Sequence, residues 1–134
     1  MKIVYQTVFK TGLGDCFRAC VCSLFELHID EMPNFWEQTQ DAHKYWELVN
    51  EWSVARLQHK LISISVQTGH DYYVKDLLCI ATGYTERSDE QHCVVWRNRI
   101  IHDPFPGGAE LPFTPEVYTL LVPCWDVLDD SASA

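Results

Sequence analysis

Apolar positions in the first half of the chain recur every three or four residues, which is the spacing of a helix that buries one face. The first such stretch covers residues 16–27, and the second covers about residues 39–60. The second stretch carries Asp41 near its start and basic residues near its end, as the helix dipole favours. Pro33 and Asn34 interrupt the chain between the two predicted helices.

The second half of the chain changes to the patterns that are typical of β-strands. Alternation with a period of two, or a continuous apolar run, predicts five strands. These strands are residues 61–66, 77–81, 92–96, 100–103 and 118–122. The polar segment 82–91 is predicted as a loop, and Asn98 with Arg99 as a tight turn. Residues 104–108, rich in proline and glycine, are predicted as a rigid, irregular loop.

Helices followed by antiparallel strands predict an α+β fold, in which the helix that begins at Cys16 packs on the sheet. The chain has 134 residues, a length that suits one domain with a sizeable core. We expect this domain to span residues 1–125, with an extended lead-in at 1–11. Residues 126–134 are acidic and small, and we expect a flexible tail there.

The charge balance excludes several classes of partner. Ten Lys and Arg residues stand against nineteen Asp and Glu residues, for a net charge of −9, so we expect no nucleic-acid partner and no anionic membrane surface. The N-terminus lacks the pattern of a signal peptide, and no apolar run is long enough to span a bilayer. We therefore expect a cytoplasmic protein whose six cysteines are reduced thiols.

Cys16 is the candidate nucleophile. It follows a turn that contains Gly12 and Gly14, and it opens the first predicted helix, where the helix dipole favours a thiolate. Asp15 is expected to cap that helix through its side chain. The two glycines would let a substrate approach the backbone, and the Cys16 amide could then donate to an oxyanion. The alternative is a buried structural cysteine.

His92 and Asp103 are the candidate base and orienting residue. A two-residue turn at 98–99 would pair Arg97 with Ile100 and, further out, His92 with Phe105. His92 and Asp103 would then lie at the same end of one hairpin, where a carboxylate can fix the imidazole tautomer. The alternative for His92 is a strand-end histidine that solvent or a carbonyl satisfies.

Two further polar residues lie close to these candidates. Gln6 precedes Cys16 by ten residues, and a glutamine amide beside a nucleophile can donate to a developing oxyanion. A glutamine near a chain start is more often part of the surface. His102 adjoins Asp103, but strand alternation predicts that it points to the opposite face of the sheet.

We expect neither a metal nor a cofactor. Cys16, Cys20 and Cys22 cluster in the sequence, and Cys93 follows His92, but no Cys-x-x-Cys pair is present. Cysteines at helix offsets of four and six cannot all face one ion. The glycine turn lacks the third glycine and the basic residue of a phosphate-binding loop.

Taken in order, these segments resemble the papain-like cysteine peptidases, and in particular a group of short phage and bacterial proteins of that superfamily. The resemblance covers about residues 4–124. The matching segments are Tyr5-Gln6-Thr7, Gly14-Asp15-Cys16-Phe17-Arg18-Ala19-Cys20, Phe25-Glu26-Leu27, Pro33-Asn34-Phe35, His92-Cys93-Val94-Val95 and His102-Asp103-Pro104. The resemblance implies a minimal papain-like fold with Cys16 as nucleophile, His92 as base, Asp103 as orienting residue and Gln6 as oxyanion donor. Papain-type enzymes often carry asparagine in the third role.

The resemblance also implies a function. It indicates a cysteine hydrolase that cleaves an amide, isopeptide or thioester bond through a thioacyl-enzyme. The expected substrate is a protein or a peptide-like molecule. If the chain is phage-encoded, one candidate substrate is a host protein in the host cytoplasm. One alternative is an inactive papain-like phage protein that binds a host factor, and another is an acyltransferase with the same triad. The five tryptophans are candidates to line a pocket, or else belong to the core.

Overall fold

A computed structural model describes residues 1–9, 15–85, 88–107 and 112–124. Within these residues the protein has an α+β fold with a five-stranded antiparallel sheet of order β1-β5-β2-β3-β4. The elements are α1 (Cys16–Phe25), α2 (Phe35–Gln38), α3 (Ala42–Trp52), β1 (His59–Ser65), β2 (Cys79–Thr85), β3 (Ser88–Trp96), β4 (Ile100–His102) and β5 (Phe113–Pro123). The predicted α+β class and the predicted antiparallel sheet are confirmed. The predicted glycine turn at 12–14 and the tail at 126–134 lie outside the described residues.

Both predicted helices are shorter than the apolar spacing indicated. The first begins at Cys16 as predicted but ends at Phe25, because Glu26 adopts a left-handed conformation with φ 57°. The second begins after Asp41, whose carboxylate accepts the His43 N–H at 2.9 Å. It continues through a π-helical turn, Ser53–Leu57, and the strand β1 has already started at His59. The short helix α2 was not predicted.

The largest error in the strand prediction is the polar segment 82–91, which is not a loop. Strand β2 continues to Thr85 and β3 begins at Ser88, so these residues form most of a β-hairpin. Antiparallel strands accept polar residues on an exposed face, so polarity alone did not mark a loop here. Leu77 and Leu78, predicted as part of a buried strand, instead precede β2 and are each 48% exposed.

The β3–β4 hairpin has the predicted register away from its turn but not at the turn itself. The observed pairs are Val95 with His102 and Trp96 with Ile100. Ile100 therefore does not pair with Arg97, because the turn has three residues and Asn98 adopts a left-handed conformation with φ 63°. A register shift next to the turn absorbs the extra residue. The far end of the hairpin keeps the predicted alignment, which brings Asp103 towards His92.

Helix α1 packs across one face of the sheet, chiefly on β3, and this contact forms the main core. The helix contributes Phe17, Ala19, Cys20, Val21 and Cys22, and the strands contribute Ile80, Cys93 and Val95. A second cluster, with Val74, Cys79, Ala81, Val94 and Tyr118, covers the opposite face. The main core holds the first turn of α1 against the middle of β3. No helix among the described residues is long and apolar enough to cross a membrane.

Candidate active site

The structure brings together the residues that were predicted as nucleophile, base and orienting residue. Cys16 is the first residue of α1, His92 lies on β3, and Asp103 follows β4 directly. His92 Nε2 donates to Asp103 Oδ1 at 2.6 Å. Cys16 packs against the core cluster that contains Cys93, and interactions with the Cys93 and His92 side chains lower its pKa. Because Asp103 engages Nε2, the ring nitrogen that remains for Cys16 is Nδ1.

The hydrogen bonds around Cys16 favour the thiolate. The hydrogen bond from the Cys93 side chain lowers the Cys16 pKa most. Burial opposes this change, whereas the hydrogen bond and the charge of His92 reinforce it, and the resulting pKa of Cys16 is about 5. The ordinary pKa of a cysteine is 9.0 on the same scale. The residue Cys16 is nevertheless only half-buried.

The same network favours a charged imidazole on His92. Burial lowers the pKa of His92, but hydrogen bonds to Asp103 and Cys16, and the negative charges of both, raise it to about 9. Between about pH 5 and pH 9 the pair is therefore a thiolate beside an imidazolium. This is the activated state of a cysteine nucleophile, with an acid already in place for the leaving group.

Asp103 is held rigidly behind His92. Its side chain is almost fully buried, and Oδ1 also accepts the Phe105 N–H at 2.9 Å. A carboxylate with two donors on one oxygen has little freedom to turn away from the imidazole. Asp103 thereby fixes the orientation of the His92 ring and stabilises its charged form.

Asp15 occupies the N-cap position of α1, but the predicted side-chain cap is wrong. Its buried carboxylate instead accepts the backbone N–H groups of Thr7 and Val8, each at 2.9 Å from Oδ1. The other oxygen accepts the Thr7 hydroxyl at 2.9 Å and pairs with Arg18 at 3.2 Å. These donors outcompete the first-turn amides of α1, so Asp15 ties the N-terminal segment to the residue that precedes the nucleophile.

Gln6 lies in this tied segment. Its side chain is buried and Nε2 donates to the Val8 carbonyl at 3.1 Å, while its backbone N–H donates to the Pro104 carbonyl at 3.0 Å. Gln6 thus lies between the loop that follows Asp103 and the segment held by Asp15. Its side chain is not hydrogen-bonded to Cys16 or His92 in the described part of the chain. The second N–H of Nε2 is the one that would serve an oxyanion, and that role stays a prediction.

Cys93 is a residue that the sequence reasoning missed. Its thiol contacts Cys16, and the Thr82 hydroxyl lies 3.3 Å from the Cys93 sulfur. Alternation along β3 places Cys93 and Val95 on the helix side of the sheet. No local pattern marked Cys93, because its contact joins a helix and a strand that are far apart in the sequence.

His102, Trp52 and Trp96 make contacts elsewhere in the fold. His102 is buried and its Nε2 donates to the Val4 carbonyl at 2.7 Å, so it anchors the N-terminal segment and does not join the triad. Trp52 and Trp96 pack against the two core clusters, and Trp125 lies outside the described residues.

An aromatic cluster lies beside the nucleophile. Trp36 and Trp46 contact Tyr45 edge-on, at ring-centroid distances of 5.2 and 4.9 Å, and Trp46 contacts Phe17 at 5.0 Å. Burial raises the Tyr45 pKa most, and the charges of Cys93 and Cys16 raise it further, because its hydroxyl lies near both thiols. These rings form an apolar wall next to Cys16.

All six cysteines are free thiols. In the described part of the chain, no three His, Cys, Asp or Glu side chains are arranged to hold a metal ion.

The sequence and the structure were compared with models of protein families, with curated proteins and with solved structures, and none matches this chain. The functional argument therefore depends on the geometry of the site.

Proposed function

We propose that the protein is a minimal papain-like cysteine hydrolase that cleaves an amide, isopeptide or thioester bond in a protein or peptide-like substrate. The observation that carries this proposal is the His92–Asp103 hydrogen bond of 2.6 Å, together with the interaction of His92 with Cys16 at the start of α1 that lowers the Cys16 pKa. Each of these three residues has the chemical type and the partner that a cysteine nucleophile, its base and an orienting carboxylate require.

The first half of the reaction forms a thioacyl-enzyme. The Cys16 thiolate attacks the carbonyl carbon of the substrate, and the carbonyl oxygen becomes an oxyanion. The His92 imidazolium then gives its Nδ1 proton to the departing amine or thiol. Asp103 holds the ring so that the same nitrogen faces first the thiolate and then the leaving group.

The second half returns the enzyme to its starting state. His92, now neutral, takes a proton from a water molecule, which attacks the thioacyl carbon and releases the acid. The candidate oxyanion donors are the Cys16 amide and the side-chain amide of Gln6. Asp15 supports both, because it directly precedes Cys16 and binds the backbone that follows Gln6.

An acyltransferase is the second candidate function, since it forms the same thioacyl-enzyme and differs only in the acceptor that replaces water. An inactive binding protein of papain-like fold is less well supported. Such a protein would not require a half-buried cysteine in contact with a charged histidine. A phage origin and action in a host cytoplasm are proposed on the sequence resemblance alone.

The test uses p-nitrophenyl acetate, an activated ester that acylates nucleophilic thiols. The proposal predicts a burst of one nitrophenolate per chain and one acetyl group on Cys16, located by peptide mass spectrometry. Cys16→Ala should abolish the burst, whereas Cys124→Ala, which removes the other half-buried thiol, should preserve it. Acetylation that persists in Cys16→Ala, or that falls on another cysteine, would overturn the assignment.

A further inference from the structure

Cys93 provides a second thiol within the active site itself. Cys93 belongs to the core cluster against which Cys16 packs, and it is only 6% exposed. The Thr82 hydroxyl lies 3.3 Å from the Cys93 sulfur, on the neighbouring strand β2. Cys93 therefore lies on the buried side of Cys16.

Cys16 has the properties of a thiol that peroxides oxidise. It is partly exposed, it lies beside an imidazolium, and it is present as a thiolate. Oxidation-sensitive cysteines of this kind are often paired with a second thiol that captures the first oxidation product. Without such a thiol, further oxidation to sulfinic acid is irreversible.

We propose that Cys93 is a resolving thiol, which captures Cys16 as a reversible Cys16–Cys93 disulfide when hydrogen peroxide oxidises the nucleophile. This proposal depends on the thiolate reactivity of Cys16 in the proposed function, but not on the nature of the substrate. The packing of Cys16 on the core cluster that contains Cys93, where α1 meets β3, carries it, because a disulfide requires two cysteines that lie close together in the fold.

The chemistry has two balanced steps. In the first, the Cys16 thiolate attacks one peroxide oxygen, an S–O bond forms, the O–O bond breaks, and the released hydroxide becomes water on taking a proton. Sulfur loses two electrons and peroxide gains them. In the second, Cys93 sulfur attacks the sulfenic sulfur, an S–S bond forms and the S–O bond breaks. The Cys93 proton leaves with the hydroxyl group as a second water.

The structure also explains why Cys93 acts only after Cys16 is oxidised. The hydrogen bond to Cys16 is the largest cause that keeps the Cys93 pKa high, with burial and the Cys16 charge adding to it. A sulfenic acid on Cys16 is neutral, so that stabilising partner for the Cys93 S–H is removed. The resolving thiol then loses its proton more readily.

Cys20 is the competing resolving thiol, one helical turn after Cys16. It is fully buried within the core, and burial, with the charges of Cys16 and Asp103, raises its pKa. The structure therefore favours Cys93 over Cys20.

The test treats the reduced full chain with an excess of hydrogen peroxide, because oxidation of one thiol to sulfinic acid consumes two peroxide molecules, and maps its peptides by mass spectrometry. The expected product is a Cys16–Cys93 disulfide, with a mass loss of about 2 Da for the two hydrogens removed. It should abolish iodoacetamide labelling of Cys16, and dithiothreitol should restore that labelling completely. The Cys93→Ala variant should instead accumulate Cys16 sulfinic acid, and dithiothreitol should not restore labelling. Cys79→Ala, which removes a buried thiol on the opposite face of the sheet, should behave as the unaltered chain does.

Three outcomes would overturn the resolving role. They are a Cys16–Cys20 disulfide, a stable sulfenic acid at Cys16 in the unaltered chain, and full recovery of labelling in Cys93→Ala. In each of these cases Cys16 has reacted, so the proposed function survives. Failure of Cys16 to react with either iodoacetamide or peroxide would contradict the proposed function and the resolving role together.

Discussion

His92 Nε2 lies 2.6 Å from Asp103 Oδ1, and the same oxygen accepts the backbone N–H of Phe105 at 2.9 Å. The carboxylate is thus held by His92 on strand β3 and by the backbone of the loop that follows Asp103. This relationship turns a histidine on β3 into an oriented base, with its other ring nitrogen directed at Cys16.

Replacing Asp103 with asparagine separates the charge of this residue from its shape. The amide oxygen of the introduced side chain can still accept from His92 and Phe105, but the negative charge is gone, so the His92 pKa should fall below about 9. We expect acylation of Cys16 to slow by about tenfold or more, within the range that general acid–base groups contribute. An NMR titration of the His92 ring measures the pKa. An unchanged His92 pKa in Asp103→Asn would show that the charge has no role.

Replacing Asp15 with alanine should destabilise the whole fold. The change removes a buried carboxylate that accepts the N–H groups of Thr7 and Val8 in partly buried hydrogen bonds and pairs with Arg18, at a cost of about 3 kcal/mol in the free energy of unfolding. Urea unfolding measures this free energy. The matched control is Asp41→Ala, which removes an exposed helix cap and should cost about 1 kcal/mol. Equal costs for the two variants would contradict the role given to Asp15.

Gly83 should not tolerate a side chain. It pairs with His92 on β3 and with Pro115 on β5, and a Cβ there would collide with the carbonyl oxygen of Thr114. Gly83→Ala should therefore cost at least about 2 kcal/mol, since neighbouring backbone must move.

Gly69→Ala is the control for this substitution, because its Cβ would meet nothing within 4 Å. The positive φ of 76° should still make it cost about 1 kcal/mol. Thermal or urea unfolding compares the two variants. A Gly83→Ala protein as stable as Gly69→Ala would show that β2 and β5 are not packed so closely beside His92.

The sequence predicted those parts of the fold that depend on local pattern. The start of α1 at Cys16, the antiparallel sheet and the far register of the β3–β4 hairpin all follow from periodicity and turn residues. The segment 82–91 could not be predicted in this way, because its strands carry polar residues and glycine, which in a sequence are also typical of a loop. Helix ends depended on Glu26 and Gln58, two non-glycine residues in a left-handed conformation that tertiary contacts impose.

The site was predictable in its residue types but not in its supporting contacts. Cys16, His92 and Asp103 were chosen by chemical type and order, and the structure brings them together. The actual partners of Asp15 come from a segment seven and eight residues earlier, and no local rule specifies them. Cys93 acts through a contact between a helix and a strand, which becomes visible only when the two elements are packed.

The most direct test of the central claim is the rate of Cys16 alkylation by iodoacetamide as a function of pH, followed by peptide mass spectrometry. A thiolate stabilised by Cys93 and His92 predicts half-maximal reactivity near pH 5 and a plateau above it. Removal of the histidine in His92→Gln should move the midpoint upward, and the urea-unfolded chain should give the ordinary cysteine value near ~8.5. A native profile that rises only above about pH 8, like that of the unfolded chain, would contradict the thiolate–imidazolium pair and the catalytic role built on it.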